Sequence, residues 1–432
     1  MKLPGLKTGV SIRPEPPPPL KLWRDPAPSK TDGGKIPPRL IPRLKSGALG
    51  GGISKFLKEK KDEGLLRKLR PASLRRGGRI RFGEKEYIDL SSNDYLGLSN
   101  HPKLIEAARE ALETYGAGTS ASRLLSGDLD ICHRLEEAVA KFKGKEAALV
   151  FNSGYQANVG ILSALFGEED VIFSDKLNHA SIVDGLILSG ARFFRFSHND
   201  MGRLESLLVK ERAKFKNALL ITETIFSMDG DRPDLKSLAA LKEKFNCKLM
   251  VDEAHATGIF GKNGSGIVEE EGLTDKVDLI MGTFGKALGS FGAYLAASGE
   301  MIEYMVNRCR SFIYSTALPP ATIAANLAAV ELVKSEPHRR QKLLSSADNF
   351  RNALGKKGFN IKGSSQIIPV IIGESRAAVK IAEALQEKGY WALPIRPPTV
   401  PQGQARLRFS LSYDHDAATL ERLADDISEV SI

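Results

Sequence analysis

Between Gly282 and Gly292 four glycines surround a single lysine, Lys286. Glycine lets a backbone approach a ligand closely and adopt positive φ. A lysine held there, partly out of water, has a lowered pKa and becomes an amine nucleophile, suited to capture a carbonyl. Alone, the stretch reads equally as a surface lysine in a glycine turn. Upstream, Asp252 ends the apolar run Lys248 to Val251, and His255 follows three residues later. Farther up, the apolar run Ala218 to Thr222 leads into Glu223-Thr224-Ile225-Phe226-Ser227-Met228-Asp229-Gly230-Asp231. An amine, carboxylates, an imidazole and a hydroxyl thus each stand just past an apolar segment.

Those segments must be the strands that hold them. The runs 147–151, 171–174, 192–196, 218–222, 248–252, 279–281 and 293–297 are short and apolar, with helical stretches between several of them. This is the pattern of an α/β sheet, in which ligands bind beyond the carboxyl ends of the strands. After 147–151 come Asn152-Ser153-Gly154-Tyr155, opening a helix. Free N–H groups and the helix dipole make such a start an anion site. His179 follows the next strand, and taken by itself it reads as a structural histidine. His198 is read as structural. Asn93, in Ser91-Ser92-Asn93-Asp94-Tyr95-Leu96-Gly97-Leu98, is either a turn cap or a ligand contact.

FSMDGD, VDEAHATG and TFGKALG, in that order, together with SSNDYLGL, resemble the α-oxoamine synthases over roughly residues 60–430. Several motifs in order are far more specific than one glycine-rich loop. The resemblance implies an α/β fold, the pyridoxal 5′-phosphate (PLP) dependent transferase fold type I. Its large domain has a mostly parallel seven-stranded sheet, with a small α/β C-terminal domain. It implies a PLP-dependent acyltransferase in which Lys286 carries the cofactor and then serves as base. Asp252 would pair with the pyridine nitrogen, and His255 with Ser227 would support the ring hydroxyl region. Gly154, Tyr155 and Thr283 would hold the phosphate, with Ser315 reaching the cofactor of a neighbouring subunit in a homodimer with a shared active site. His179 would lie over the ring and meet substrate. Asn93, Arg67, Thr399 and Arg396 would contact substrate, Arg396 as a two-point clamp on an α-carboxylate. The segment IRPPTVPQGQARLR, residues 395–408, is similar to the branch that joins L-alanine to a pimeloyl thioester, on coenzyme A or acyl-carrier protein, in biotin synthesis. A sister branch joins glycine to acetyl-CoA.

The expected organisation is a basic, proline- and glycine-rich leader over 1–52, without fixed structure; an N-terminal helix and strand segment over 53–98; a large cofactor domain over 99–335; and a small domain over 336–432. Apolar spacing predicts a helix over 53–70. The leader holds eleven of 22 prolines. Net charge is +10, but residues 1–80 carry +14, leaving −4 for the remaining 352 residues. The body is mildly acidic, which argues against a nucleic-acid partner. No apolar run spans the ~20 residues of a membrane helix. Three widely spaced cysteines, Cys132, Cys247 and Cys309, form no zinc or disulfide pattern and fit a cytoplasmic protein.

Asp252-Glu253-Ala254-His255 also spells the DEAH box of helicases. Those need a GxxxxGK(S/T) phosphate loop, and Ile280 stands where Gly285-Lys286 would require a glycine. A metal hydrolase using Glu253 and His255 lacks HExxH or a second clustered histidine. The basic stretch Arg67 to Arg79 reads as a solvated face or as a contact for acidic carriers.

Overall fold

A computed structural model describes residues 51–63 and 65–431. The chain divides into two units, Met1–Leu69 and Arg70–Ile432. In the first, the described helix is Ile53–Asp62, and none of its residues is buried. It stops eight residues short of the expected end, where the sequence places a glycine after Glu63, a residue costly inside a helix. Most of the leader lies outside the described residues.

The second unit begins with an antiparallel ribbon, β1 (Leu74–Arg76), β2 (Arg79–Phe82) and β3 (Lys85–Asp89). Then come β4 (Ala147–Phe151), β5 (Val171–Asp175), β6 (Arg192–Phe196), β7 (Ala218–Glu223), β8 (Lys248–Asp252), β9 (Leu279–Thr283) and β10 (Ala293–Ala297). They form one seven-stranded sheet in the order β4-β10-β9-β8-β7-β5-β6. All pairings are parallel except those of β10. Strands buried on both faces need no alternation of apolar and polar residues, which is why these runs are continuous. The pleat still sorts their side chains. Phe173, Leu220, Leu249, Val251 and Ile280 join one core cluster. Ile172, Leu219, Met250, Leu279 and Met281 join another on the opposite face. Helices Asp130–Lys143 and Pro320–Ser335 supply the first, and Gly154–Leu165, Ala180–Ser189 and Gly299–Arg308 the second.

After helix Pro337–Lys356 the chain adds β11 (Ile367–Gly373), β12 (Tyr390–Trp391), β13 (Pro394–Ile395) and β14 (Ala405–Ser410). A three-stranded antiparallel sheet runs β11-β14-β13. β12 leaves it and pairs in parallel with β3. The amino-terminal ribbon is thereby stitched to the carboxyl-terminal segment. Phe82, Tyr87 and Trp391 pack edge-on or tilted at that seam. No helix among the described residues is long and apolar enough to cross a membrane.

Candidate active site

The loop between β9 and β10 is folded back on itself. The Phe284 N–H donates to the Gly292 carbonyl, Ser290 N–H to Phe284, and Gly289 N–H to Lys286. Thr283 Oγ1 donates to the Gly292 carbonyl at 2.7 Å and accepts from Gly285 N–H at 3.1 Å. Gly289 has φ +67°, and a Cβ there would stand 2.4 Å from the Ser99 nitrogen. The lysine loop thus packs on the SSNDYLGL segment at a distance only glycine allows.

Lys286 is half-buried, and its Nζ lies 2.7 Å from His255 Nε2. Burial brings the amine down to about 8, with Asp252 opposing the fall. His255 is buried behind it. Desolvation, then the neighbouring Lys286 and Arg408 charges, hold its pKa well below the usual histidine value. Its Nδ1 meets the Tyr95 hydroxyl at 2.7 Å.

β7 and β8 pair in register with Glu223 opposite Asp252. Asp252 accepts from Asn158 Nδ2 and from the Ala254 N–H, each at 2.9 Å. Beside it, burial and then the Asp252 charge push the Glu223 carboxyl well up, and its Oε1 has no hydrogen-bond partner. Asn158 Oδ1 is likewise buried and unpaired. One strand further out, His179 caps helix Ala180–Ser189. Its Nδ1 accepts from the Ser181 N–H at 3.2 Å while the ring stays exposed. The Tyr155 ring stands edge-on to it, 6.4 Å between centroids, and the Tyr155 hydroxyl bonds Asp184. Gly154 and Tyr155 open helix Gly154–Leu165, which Ser153 caps.

The carboxyl-terminal sheet brings a group that the sequence reading did not single out. Arg408, on β14, is buried, donates from Nε to the Ser227 carbonyl at 2.5 Å, and places Nη2 3.4 Å from Asn93 Oδ1. It also acts electrostatically on Lys286 and His255. Arg-Leu-Arg in a strand ordinarily signals an exposed face, yet all six residues of β14 are buried. Nothing local in Arg-Leu-Arg announces that burial, since arginine is mostly an exposed residue. Arg396 sits in a turn whose carbonyl accepts from the Thr399 N–H at 3.1 Å. Thr399 and Ser227 both line a cavity of about 500 Å³ with Asp229, Lys362 and Gln404. Ser315 Oγ accepts from Gln156 Nε2 at 2.7 Å, beside the start of the Gly154 helix. Arg67 belongs to the first unit, and the geometry of the second does not describe it. His198 is structural, as expected: its two ring nitrogens bridge Asp175 and Asp231.

An amine of depressed pKa, a carboxylate on an adjacent strand end, an exposed histidine ring and a helix start define a site for a carbonyl-bearing cofactor with an anionic arm. Residues 85–427 match the model of the family described as aminotransferase class I and II. The chain therefore belongs to that family, here as a fold-type-I enzyme using PLP. A relative from Geobacter sulfurreducens named 8-amino-7-oxononanoate synthase is 51% identical over 373 residues, 86% of this chain and 95% of its own length. One of the same name from Geotalea daltonii is 50% identical over 370 residues, 85% of this chain and 94% of its own. Among solved structures, a serine palmitoyltransferase from Sphingomonas wittichii superposes with TM-score 0.83 at 31% identity, covering 88% of this chain and 97% of its own. The 8-amino-7-oxononanoate synthase from Francisella tularensis gives TM-score 0.70 at 30% identity, covering 79% and 97%.

The residues present fit PLP. Asp252 keeps acceptor capacity beyond its two donors, and two unpaired buried oxygens, on Glu223 and Asn158, stand close by. Lys286 is the amine a carbonyl needs, and the Gly154 helix start offers N–H groups to a phosphate.

Proposed function

We propose that this site joins L-alanine to a pimeloyl thioester, carried on coenzyme A or acyl-carrier protein, giving 8-amino-7-oxononanoate, carbon dioxide and the free thiol. The observation that carries this reading is half-identity, across nearly their full length, to relatives named for that product. When bound, PLP supplies an electron sink for charge developing at the amino-acid Cα.

The chain's own residues do the rest. Lys286 Nζ is placed to take the Cα proton, and an amine near 8 is poised for that work, help worth about 10²–10⁴-fold. The freed Cα pair bonds to the thioester carbonyl carbon and the thiolate leaves, taking a proton from water to become the free thiol. The amino-acid carboxyl then departs as carbon dioxide, and the pair it leaves on Cα takes back the proton held by Lys286. Asp252 holds a negative charge at a strand end, which keeps a pyridine nitrogen protonated. His255 and Ser227 would support the ring hydroxyl side. Gly154, Tyr155 and Thr283 would hold the phosphate. The α-carboxylate goes to Arg408, which is buried, forked and beside Asn93. Arg396 is the rival for that role, by resemblance. His179 would cover the ring and meet substrate. Thr399, on the 500 Å³ cavity, takes the acyl thioester; for Arg67 a substrate contact rests on the resemblance alone. A second copy completes the site through Ser315. Support for the dimer comes from the exposed Leu125, Phe291 and Tyr314. Sedimentation showing only monomer at micromolar concentration would remove that part.

The fold likeness to a serine palmitoyltransferase keeps a sister condensation in view. Mass detection of the amino-ketone separates them. L-alanine with pimeloyl-CoA should give product far faster than glycine with acetyl-CoA or serine with palmitoyl-CoA. Faster turnover of either other pair would move the assignment.

A further inference from the structure

We propose that Tyr95 is a positioning residue: its hydroxyl fixes the proton of His255 on Nδ1 and so presents a bare Nε2 to the Lys286 amine. The proposal rests on the reading of Lys286 as the reactive amine. It concerns a residue to which neither the family motifs nor the comparisons give a role.

Tyr95 comes from the SSNDYLGL segment and is fully buried. Burial raises the phenol's pKa, so the hydroxyl keeps its one proton. Two acceptors compete for it: Asn93 Oδ1 at 3.0 Å and His255 Nδ1 at 2.7 Å. Arg408 also faces the phenolic oxygen but has no acceptor, and the Gln366 amide directs its Nε2 to the His255 carbonyl at 3.0 Å. Arg408 Nη2 faces Asn93 Oδ1 at 3.4 Å, which places the amide oxygen, and not its NH2, on this side.

The far side of the imidazole decides the matter. Lys286 Nζ is 2.7 Å from Nε2. A lysine ammonium has three donors and no acceptor. Nε2 must therefore be bare while Lys286 is charged. The ring is neutral, because it is buried and faces Lys286, Arg408 and His179. Its one proton is thus on Nδ1, the phenolic oxygen accepts that N–H, and the phenolic proton goes to Asn93 Oδ1. All four groups are satisfied in one direction: Lys286 to His255 to Tyr95 to Asn93. In the opposite arrangement the phenol donates to Nδ1 and Nε2–H points at the ammonium. The Tyr95 and Asn93 oxygens then face each other with no hydrogen between them.

The chain also holds still enough for this to matter. Gln366 Nε2 donates to the His255 carbonyl at 3.0 Å, which ties down the backbone beneath the ring. The charged and titratable groups facing the amine are then Asp252, Glu223, His179, His255 and Arg408. Of these, His255 is the one within hydrogen-bond reach, and it helps as an acceptor only in the Nδ1–H form. Without the phenolic oxygen, Nδ1–H would be a buried donor with no partner. The ring would shift its proton to Nε2 and meet the ammonium donor to donor, which disfavours the charged amine.

The test uses the full-length protein stripped of cofactor. With 15N-labelled histidine at pH 7, His255 should show a protonated Nδ1 and a pyridine-like Nε2. In Tyr95→Phe the two should exchange. Acylation of Lys286 by a lysine-selective reagent, followed by mass spectrometry across pH, should have its midpoint near 8 in the parent. It should lie about one unit lower in Tyr95→Phe, ~10-fold in the ratio of the two forms. A purely structural loss would not move that midpoint. A parent ring protonated on Nε2 overturns the proposal, and so does a Tyr95→Phe midpoint that stays near 8. Should that variant not fold, the parent spectrum still decides. Failure of borohydride to fix PLP on Lys286 would sink the functional reading while leaving the tautomer measurement intact.

Discussion

Glu223 and Asp252 face each other in register at the carboxyl ends of two adjacent parallel strands. Two carboxyls so placed and so buried do not both ionise. Asp252 has two donors on it; Glu223 has an oxygen with none. The environment therefore separates them into a carboxylate and an acid.

Replacement of each should have opposite consequences. Glu223→Gln keeps shape and neutrality, so it should retain cofactor absorbance. The folded pKa of Glu223 is raised above its ordinary 4.5. The stability it contributes is thus fully present below that value and lost as pH rises toward the folded pKa. Glu223→Gln should consequently be no less stable than the parent at pH 8, by thermal melting. Asp252→Asn should lower kcat by at least ~10²-fold and shift the Lys286 midpoint below about 8, because Asp252 is the leading group that holds it up. An Asp252→Asn enzyme with parental kcat would remove the ring-nitrogen role.

Arg408 and Arg396 compete for one substrate group, and kinetics can separate them. A lysine cannot reproduce a guanidinium's two-point grip on a carboxylate. Arg408→Lys should raise the KM for L-alanine at least ~10-fold, with the thioester KM little changed, the cost of one charged hydrogen bond being about 1.5–3 kcal/mol. Arg396→Lys should leave the alanine KM within about twofold. The reverse pattern would return the clamp to Arg396.

These residues also mark where the chain could and could not be read. β4, β6 and β10 were legible to the residue, since apolar runs ended by glycine or polar groups leave little choice. Lys286, Asp252 and His255 stood out because each comes at or shortly after the end of such a run. The strand Leu74–Arg76 was not, as Leu-Arg-Arg has no apolar face and exists by pairing with β2. Arg408 and Tyr95 were not, because their roles depend on β14 meeting the SSNDYLGL segment, 315 residues apart for Arg408 and Asn93. The β3–β12 pairing is long-range in the same way. Local pattern sets strands; which strand ends share a pocket is settled by tertiary packing.

Beneath the site, Lys143 Nζ donates to Glu253 Oε2 at 2.7 Å with both side chains wholly buried. Lys143 also reaches Thr257 Oγ1 at 3.1 Å and the Ser265 carbonyl, while Glu253 Oε1 accepts from the Val268 N–H at 2.9 Å. The pair pins the loop that carries His255. Lys143→Met leaves a buried carboxylate alone and should cost about 3–5 kcal/mol in denaturant unfolding. Adding Glu253→Leu should recover part of that loss, but not all, since the Val268 N–H then lacks its acceptor. A single variant within 1 kcal/mol of the parent, as an order-of-magnitude bound, would deny the pair any structural weight.

His198 offers a pH-dependent test with a definite sign. Nδ1 lies 3.0 Å from Asp175 Oδ1 and Nε2 2.7 Å from Asp231 Oδ2, so both nitrogens donate and the ring is an imidazolium. Burial opposes the charge, but the two carboxylates outweigh it and push the pKa up to about 10. The ordinary value is 6.5. A raised pKa means the folded state binds the proton more tightly than the unfolded chain. The stabilisation is therefore complete below pH 6.5 and drains away as pH climbs to about 10. His198→Gln should be less stable than the parent by about 1–3 kcal/mol at pH 6. That gap should narrow steadily between pH 7 and 10, as followed by urea unfolding at each pH. A gap that is constant with pH would mean that the ring acts by packing on Phe226, 4.4 Å between centroids, and not by its charge.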